Sequence, residues 1–202
     1  MFAKKKEIEK ELLKIKNEVI ECRKCSLYKT RKFPVIGEGN HQAKIVFVGE
    51  APGRRENETG RPFCGQAGHI LDELLNSVHL RREDIYICNL LKCRPPFNRD
   101  PLSEEIKACS LYVLRQIKII NPKIICTLGN FASKFFLEEF GLSDKVEGIS
   151  KLHGKIFSPD GKKFKIIPLY HPAVAVYNDN MKRTLEKDFK ILEKLIKKPN
   201  SK

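Results

Sequence analysis

The sequence predicts a three-layer α/β/α domain, and three observations carry that expectation. Lys44 to Val48, Ile85 to Leu90, Lys123 to Leu128 and Lys163 to Leu169 are short, largely apolar runs, the composition of strands buried on both faces. Each of the first three is followed by a stretch with helical apolar spacing, the alternation that produces a mainly parallel, four-stranded sheet covered on both sides. A chain of 202 residues, 41% hydrophobic and 32% charged, suits one domain over 1–202 with a sizeable core and excludes a largely disordered or collagen-like chain.

The elements follow in order. Lys4 to Glu21 places Ile8, Leu12, Ile15 and Val19 at helical spacing, so an amphipathic N-terminal helix should pack on the domain. A long loop opens at Gly49 after the first strand, and Ala67 to Val78 then aligns Leu71, Leu74, Leu75 and Val78 on one helical face. Behind the second strand, Asp100-Pro101 offers an N-cap and an N1 proline for a helix running to about Ile120, which Asn121-Pro122 stops. Gly129-Asn130 opens a helix to Phe140 that Gly141 can cap. Lys155 to Phe157 and the last strand flank Ser-Pro-Asp-Gly, a turn signal, so that strand should enter from a hairpin. A final amphipathic helix covers about Asp179 to Lys197 and packs on the same domain.

Charge narrows the partners. Thirty-nine Lys and Arg against 25 Asp and Glu leave a net +14, a balance that favours a polyanion, nucleic acid first. A generally basic protein is the bland alternative. The N-terminal stretch has charges throughout and no continuous apolar core, so it does not read as a secretory signal. No apolar run is long enough to cross a bilayer, and a cytoplasmic location is expected. Abundant Lys, Glu and Ile with no Trp lean toward a thermophilic source.

In parallel sheets ligands bind where the loops gather at the carboxyl ends of the strands. Gly49-Glu50-Ala51 and Phe63 belong to the loop after the first strand, Asn89 ends the second, Gly129-Asn130 follows the third, and His171 follows the last. Singly, each has a structural explanation: a cap, a loop tie, a core ring, a satisfied histidine. Their shared placement favours a crevice able to stack on and hydrogen-bond a flat polar ligand such as a nucleobase. His153 competes for the imidazole role, but it lies in a polar loop and suits a phosphate better.

Seven cysteines in a reducing compartment point to metal or catalysis before disulfides. Cys22 and Cys25 form a C-x-x-C pair, and Cys93 and Cys109 complete a four-thiolate set that serves zinc or an iron-sulfur cluster. Zinc ribbons usually use two such pairs; the single pair tilts the choice toward a cluster. Cys88 and Cys126 fall inside apolar strands and read as core, and Cys64 as incidental.

GEAPG at 49–53, TGRPFCGQAG at 59–68, NLLKCRPPFNRDP at 89–101, LGNFA at 128–132 and HPA at 171–173, framed by the four cysteines, resemble the family 4, thermophile-type uracil-DNA glycosylases. The similarity spans roughly Cys22 to Tyr177. It implies a uracil-DNA glycosylase-like fold, a [4Fe-4S] cluster on Cys22, Cys25, Cys93 and Cys109 with zinc as the alternative, and a structural role for that cluster. It puts the uracil-stacking ring on Phe63, the base-reading amide on Asn89 and the base-contacting imidazole on His171. Ala51 stands where the wider superfamily often has Asp or Asn, so Glu50 is the candidate for water activation, with Glu56 second. Asn57 and Cys64 depart from residues common in relatives.

The expected reaction is hydrolysis of the uracil N-glycosidic bond after the nucleotide is flipped from the stack, leaving an abasic site. Phosphate contacts are expected from Lys92, Arg94 and the Gly129-Asn130 helix start, and an apolar wedge from Ala173 to Val176 with Tyr177. Gly49, Ala51, Phe63, Asn89 and His171 would line the base pocket. The protein is expected to act as a monomer on uracil-containing DNA, with replication or repair proteins as further partners. Two other readings are a non-catalytic nucleic-acid-binding module stapled by a four-cysteine metal site and a small redox protein, which leaves the strand-end residues unexplained.

Overall fold

The computed structural model describes residues 2–197. In chain order its elements are α1 (Phe2–Ile20), β1 (Glu38–Gly39), β2 (Ile45–Gly49), α2 (Arg54–Thr59), α3 (Gln66–Ser77), β3 (Tyr86–Asn89), α4 (Ser103–Ile120), β4 (Ile124–Leu128), α5 (Asn130–Glu139), α6 (Ile149–Leu152), β5 (Lys165–Leu169) and α7 (Asp179–Lys197). Among the described residues the strands form one sheet in the order β1-β3-β2-β4-β5. The four long strands are parallel, as their apolar composition requires.

Alternation along the strands divides the core in two. Val46, Val48, Cys88, Ile125 and Ile166 face a layer built by Leu12, Ile15 and Val19 of α1, Tyr112, Val113 and Ile117 of α4, and Phe136 of α5. Ile45, Phe47, Ile87, Cys126 and Ile167 face the other way, onto Leu71, Leu74 and Leu75 of α3 and Leu185, Phe189 and Leu192 of α7. Phe47 and Phe189 stack there with centroids 5.7 Å apart. Cys88 and Cys126 are core residues, as their strand positions indicate.

Three expectations need correction. The sheet has a fifth strand, the two-residue β1, antiparallel to β3 at the edge. A Glu-Gly pair carries no apolar alternation, so nothing in the sequence marks it; Gly39 is needed because a Cβ there would sit 2.1 Å from the Ile85 carbonyl oxygen. Helix α4 starts at Ser103 rather than after Asp100, because the Glu105 carboxylate turns back to accept from the Leu102 N–H at 2.9 Å and caps the helix there. The expected hairpin before β5 shrinks to one antiparallel bridge between Phe157 and Ile166. At the end of α5, Gly141 does follow the helix, with φ +76°; the Leu142 N–H returns to the Leu137 carbonyl, a Schellman closure.

Candidate active site and thiol pocket

Strand register brings the first groups together. Gly49 of β2 pairs with Asn89 of β3, and a Cβ on Gly49 would lie 2.3 Å from Asn89 Oδ1 and 2.8 Å from the Phe63 ring. Glycine at 49 therefore makes the space in which amide and ring approach one another. Phe63 holds a left-handed backbone, φ +48°, fastened from behind: Arg82 donates to its carbonyl at 2.5 Å and is itself paired with Asp72. Gly68 at the start of α3 lies so close to that carbonyl that a Cβ would overlap it.

The Phe63 ring stacks on His171, centroids 5.5 Å apart at 29°. His171 follows β5 and opens the 3-10 turn Pro172–Ala175, where its Nδ1 accepts from the Ala173 N–H at 3.2 Å. An accepting Nδ1 leaves the proton of the neutral ring on Nε2, as a donor. Burial pushes the His171 pKa down to about 4, which keeps the ring neutral at physiological pH. Asn89 is 1% exposed, and its Oδ1 has no hydrogen-bond partner. A buried carbonyl oxygen left in that state is costly by about 1 to 3 kcal/mol, which a ligand N–H would recover. Phe63, Asn89 and His171 thus gather around the Gly49 gap.

Glu50 is half-buried beside them, its carboxyl raised above the usual range by burial and, secondarily, by the negative charge of Asp100. Ala51, half-buried, packs against the α1/α4 side of the core. Glu56 is engaged elsewhere: its carboxylate accepts from the Gly53 N–H at 2.8 Å and caps α2, so the second candidate for water activation serves as a helix cap. Asn57 ties the same loop down, accepting from the backbone of Lys32 and Phe33.

The phosphate contacts expected from Lys92 are ruled out by its burial. It is 1% exposed, and its Nζ donates to the carbonyl oxygens of Asn89 (2.8 Å) and Ile36 (3.2 Å) and to Gln116 Oε1 (2.7 Å). Lys92 props the end of β3 from inside and presents no amine at the surface. Arg94, half-buried, donates from Nε to Asn98 at 2.7 Å. The Gly129 N–H is committed to the Leu169 carbonyl and so is not free for a phosphate; Asn130 Oδ1, an acceptor, takes the Ile149 N–H. Beyond His171, Pro172 and Ala175 are buried while Val174 and Tyr177 project outward.

Cys22, Cys25, Cys93 and Cys109 line one pocket between the end of α1, the segment after β3, and α4, closed by Val19, Leu27 and Tyr112. Arg31 donates to Cys93 Sγ at 3.3 Å and the Lys92 N–H to Cys109 Sγ at 3.2 Å. Four sulfurs in an apolar pocket, two already receiving N–H donors, are the donor set an iron-sulfur cluster uses. Among the described residues no three His, Cys, Asp or Glu side chains converge closely enough for a single metal ion. Cys64 stands apart, its Sγ 3.2 Å from Thr59 Oγ1.

Sequence reasoning missed Arg82, Arg31 and Gln116. Arg82 acts on a carbonyl 19 positions away and Gln116 on an amine 24 away. No local spacing announces such contacts; the only pointer to Arg82 was the glycine at 68.

A mainly parallel sheet whose carboxyl edge gathers Phe63, Asn89 and His171 defines the class, and the family model described as the uracil DNA glycosylase superfamily matches residues 36–195. The chain is 48% identical over 183 residues to a type-4 uracil-DNA glycosylase of Archaeoglobus fulgidus, covering 90% of this chain and 91% of that one. It is 48% identical over 189 residues to that of Saccharolobus solfataricus (92% and 87%) and 44% identical over 191 residues to that of Thermotoga maritima (93% and 96%). The chain belongs to the type-4 uracil-DNA glycosylases.

Proposed function

We propose that the protein hydrolyses the N-glycosidic bond of uracil in DNA and leaves an abasic site. The observation that carries the reading is the buried, unpartnered Asn89 Oδ1 beside the Phe63 and His171 rings. Uracil offers an N3–H to that oxygen and an O4 to the amide NH2, while stacking on Phe63. Cytosine presents an amino group and no N3 proton, so a fixed, buried carboxamide is mispaired with it. The loop of Glu50 and Ala51 forms the wall near C5 that excludes the thymine methyl.

Cleavage develops cationic character on the sugar and negative charge on the departing base. His171, neutral with its proton on Nε2, donates toward O2 and stabilises that charge, an effect worth about 3 to 4 kcal/mol for one preorganised donor. Glu50 orients the water that adds to C1′. With Lys92 buried against three oxygens, it supplies no amine nucleophile, which supports simple hydrolysis without strand nicking.

The thiol pocket is read as the site of a [4Fe-4S] cluster held by Cys22, Cys25, Cys93 and Cys109, which joins α1, α4 and the segment after Asn89; the single C-x-x-C pair supports it over zinc. Its chemistry there is that of a staple. The protein is further read as a monomer from a thermophilic source, acting in the cytoplasm beside replication or repair proteins; no described helix is long and apolar enough to cross a membrane.

Incubation with a uracil-containing oligonucleotide tests the function. Free uracil and an intact, alkali-labile strand are expected; tight, salt-sensitive binding with no release would instead favour the non-catalytic module.

A further inference from the structure

Phe97 is 98% exposed, more than any other large apolar residue described, and it is displayed rather than loose. Its backbone is left-handed, φ +56°, as is that of Asn98, φ +55°, a region side chains beyond Asn and Gly rarely adopt. Pro95 and Pro96 stiffen the approach, and Arg94 Nε clamps Asn98 Oδ1. On the far side both Nη atoms of Arg99 hold the buried Glu105 carboxylate, at 2.9 and 2.6 Å. A loop anchored at both ends thus pushes a benzyl group into solvent at a cost in strain, a pattern that points to use.

Its position says what the use is. The loop follows the Lys92-Cys93 segment that continues from Asn89, and Asp100 at its end is near enough to Glu50 to raise that carboxyl. The exposed Val174 and Tyr177 follow β5. In the order β3-β2-β4-β5, the ends of β3 and β5 stand three strand spacings apart, about 14 Å, with the ends of β2 and β4, at Gly49 and Leu128, between them. Resting on the reading of the crevice as the seat of a flipped base, we propose that Phe97 stacks against the DNA on the flank opposite Val174 and Tyr177, so that the extruded nucleotide is bracketed from both sides. The flanking Arg94 guanidinium and the net charge of +14 favour nucleic acid over a protein partner.

The test is equilibrium binding, by fluorescence anisotropy, to a duplex carrying a stable abasic analogue, for the parent protein, Phe97→Gly and Phe97→Trp. Glycine suits the left-handed backbone, so Phe97→Gly should melt no lower than the parent. Its affinity is expected to fall about 10-fold, as for loss of one stacked base, while Phe97→Trp stays within about twofold of the parent. Parental affinity in Phe97→Gly, or an equal loss in Phe97→Trp, would overturn the proposal; the first would redirect attention to a protein partner. The DNA contains no uracil, so a failure of base release by the parent would sink the crevice reading and leave this measurement standing.

Discussion

On the proposed reading selectivity turns on Asn89 Oδ1, because burial has removed water as its partner and no described group replaces it. Asn89→Ala is expected to cut uracil release about 100-fold or more with the melting temperature unchanged or raised, since the variant discards an unsatisfied oxygen; single-turnover release and thermal melting check the pair. Gly49→Ala should also cut release, by driving a methyl into both Asn89 and Phe63, but with a lowered melting temperature because the clash is buried. His171 titrates at about 4 in the folded chain against about 6.5 when unfolded. As pH falls the unfolded chain takes up that proton first, so the contribution of His171 to stability is full above pH 6.5 and drains away down to pH 4. His171→Gln should therefore lose less stability than the parent between pH 7 and pH 5, by at most about 1.4 kcal/mol per pH unit, read from urea midpoints. The positions of Phe63, Asn89 and His171 were legible as residues at strand ends. Lys92 was not, because a lysine two residues before an arginine and a Pro-Pro pair looks solvated; what holds it inside is Gln116, an acceptor that only the folded chain brings near.

At the scale of elements, the site is carried by how β3 ends and α4 begins. Replacing Lys92 with Met leaves the Asn89 and Ile36 carbonyls and Gln116 without their shared donor, with an expected loss of about 2 to 4 kcal/mol and a weakened base pocket, seen as lower denaturant midpoint and lower kcat. Glu105 both caps α4 and grips Arg99, and Arg99 holds its carboxyl below the usual range. A depressed carboxylate stabilises above its unfolded pKa and ceases to as pH drops through the folded one, so Glu105→Gln should flatten the acid limb of the stability profile below about pH 4.5. Periodicity located α1, α3, α5 and α7 and the four long strands to within a residue or two, because each buries a face with its own spacing. Where a boundary was misplaced, as at α4, a side chain three residues inside the helix had overruled the proline before it.

For the whole molecule, sheet order converts scattered motifs into one edge: groups from residues 49, 63, 89 and 171 meet because β2, β3 and β5 run in the same direction. The basic surplus acts over that same scale. Each phosphate contact adds about −0.9 to the slope of log affinity against log salt, so Lys92→Met, which touches no phosphate, should leave the slope unaltered, whereas Arg94→Ala should reduce it by about one. Cys93→Ser should yield protein with less bound iron and a lower melting temperature, by absorbance and thermal scan. One further consequence follows from the short span between Asn89 and Cys93, fixed at its start by a lysine on the Asn89 carbonyl and at its end by a thiol in the sulfur pocket. Chain length is guarded here more strictly than residue identity: a single inserted amino acid would displace either the amide or the thiol, while the exposed tip at 160–162 could lengthen by several with little harm.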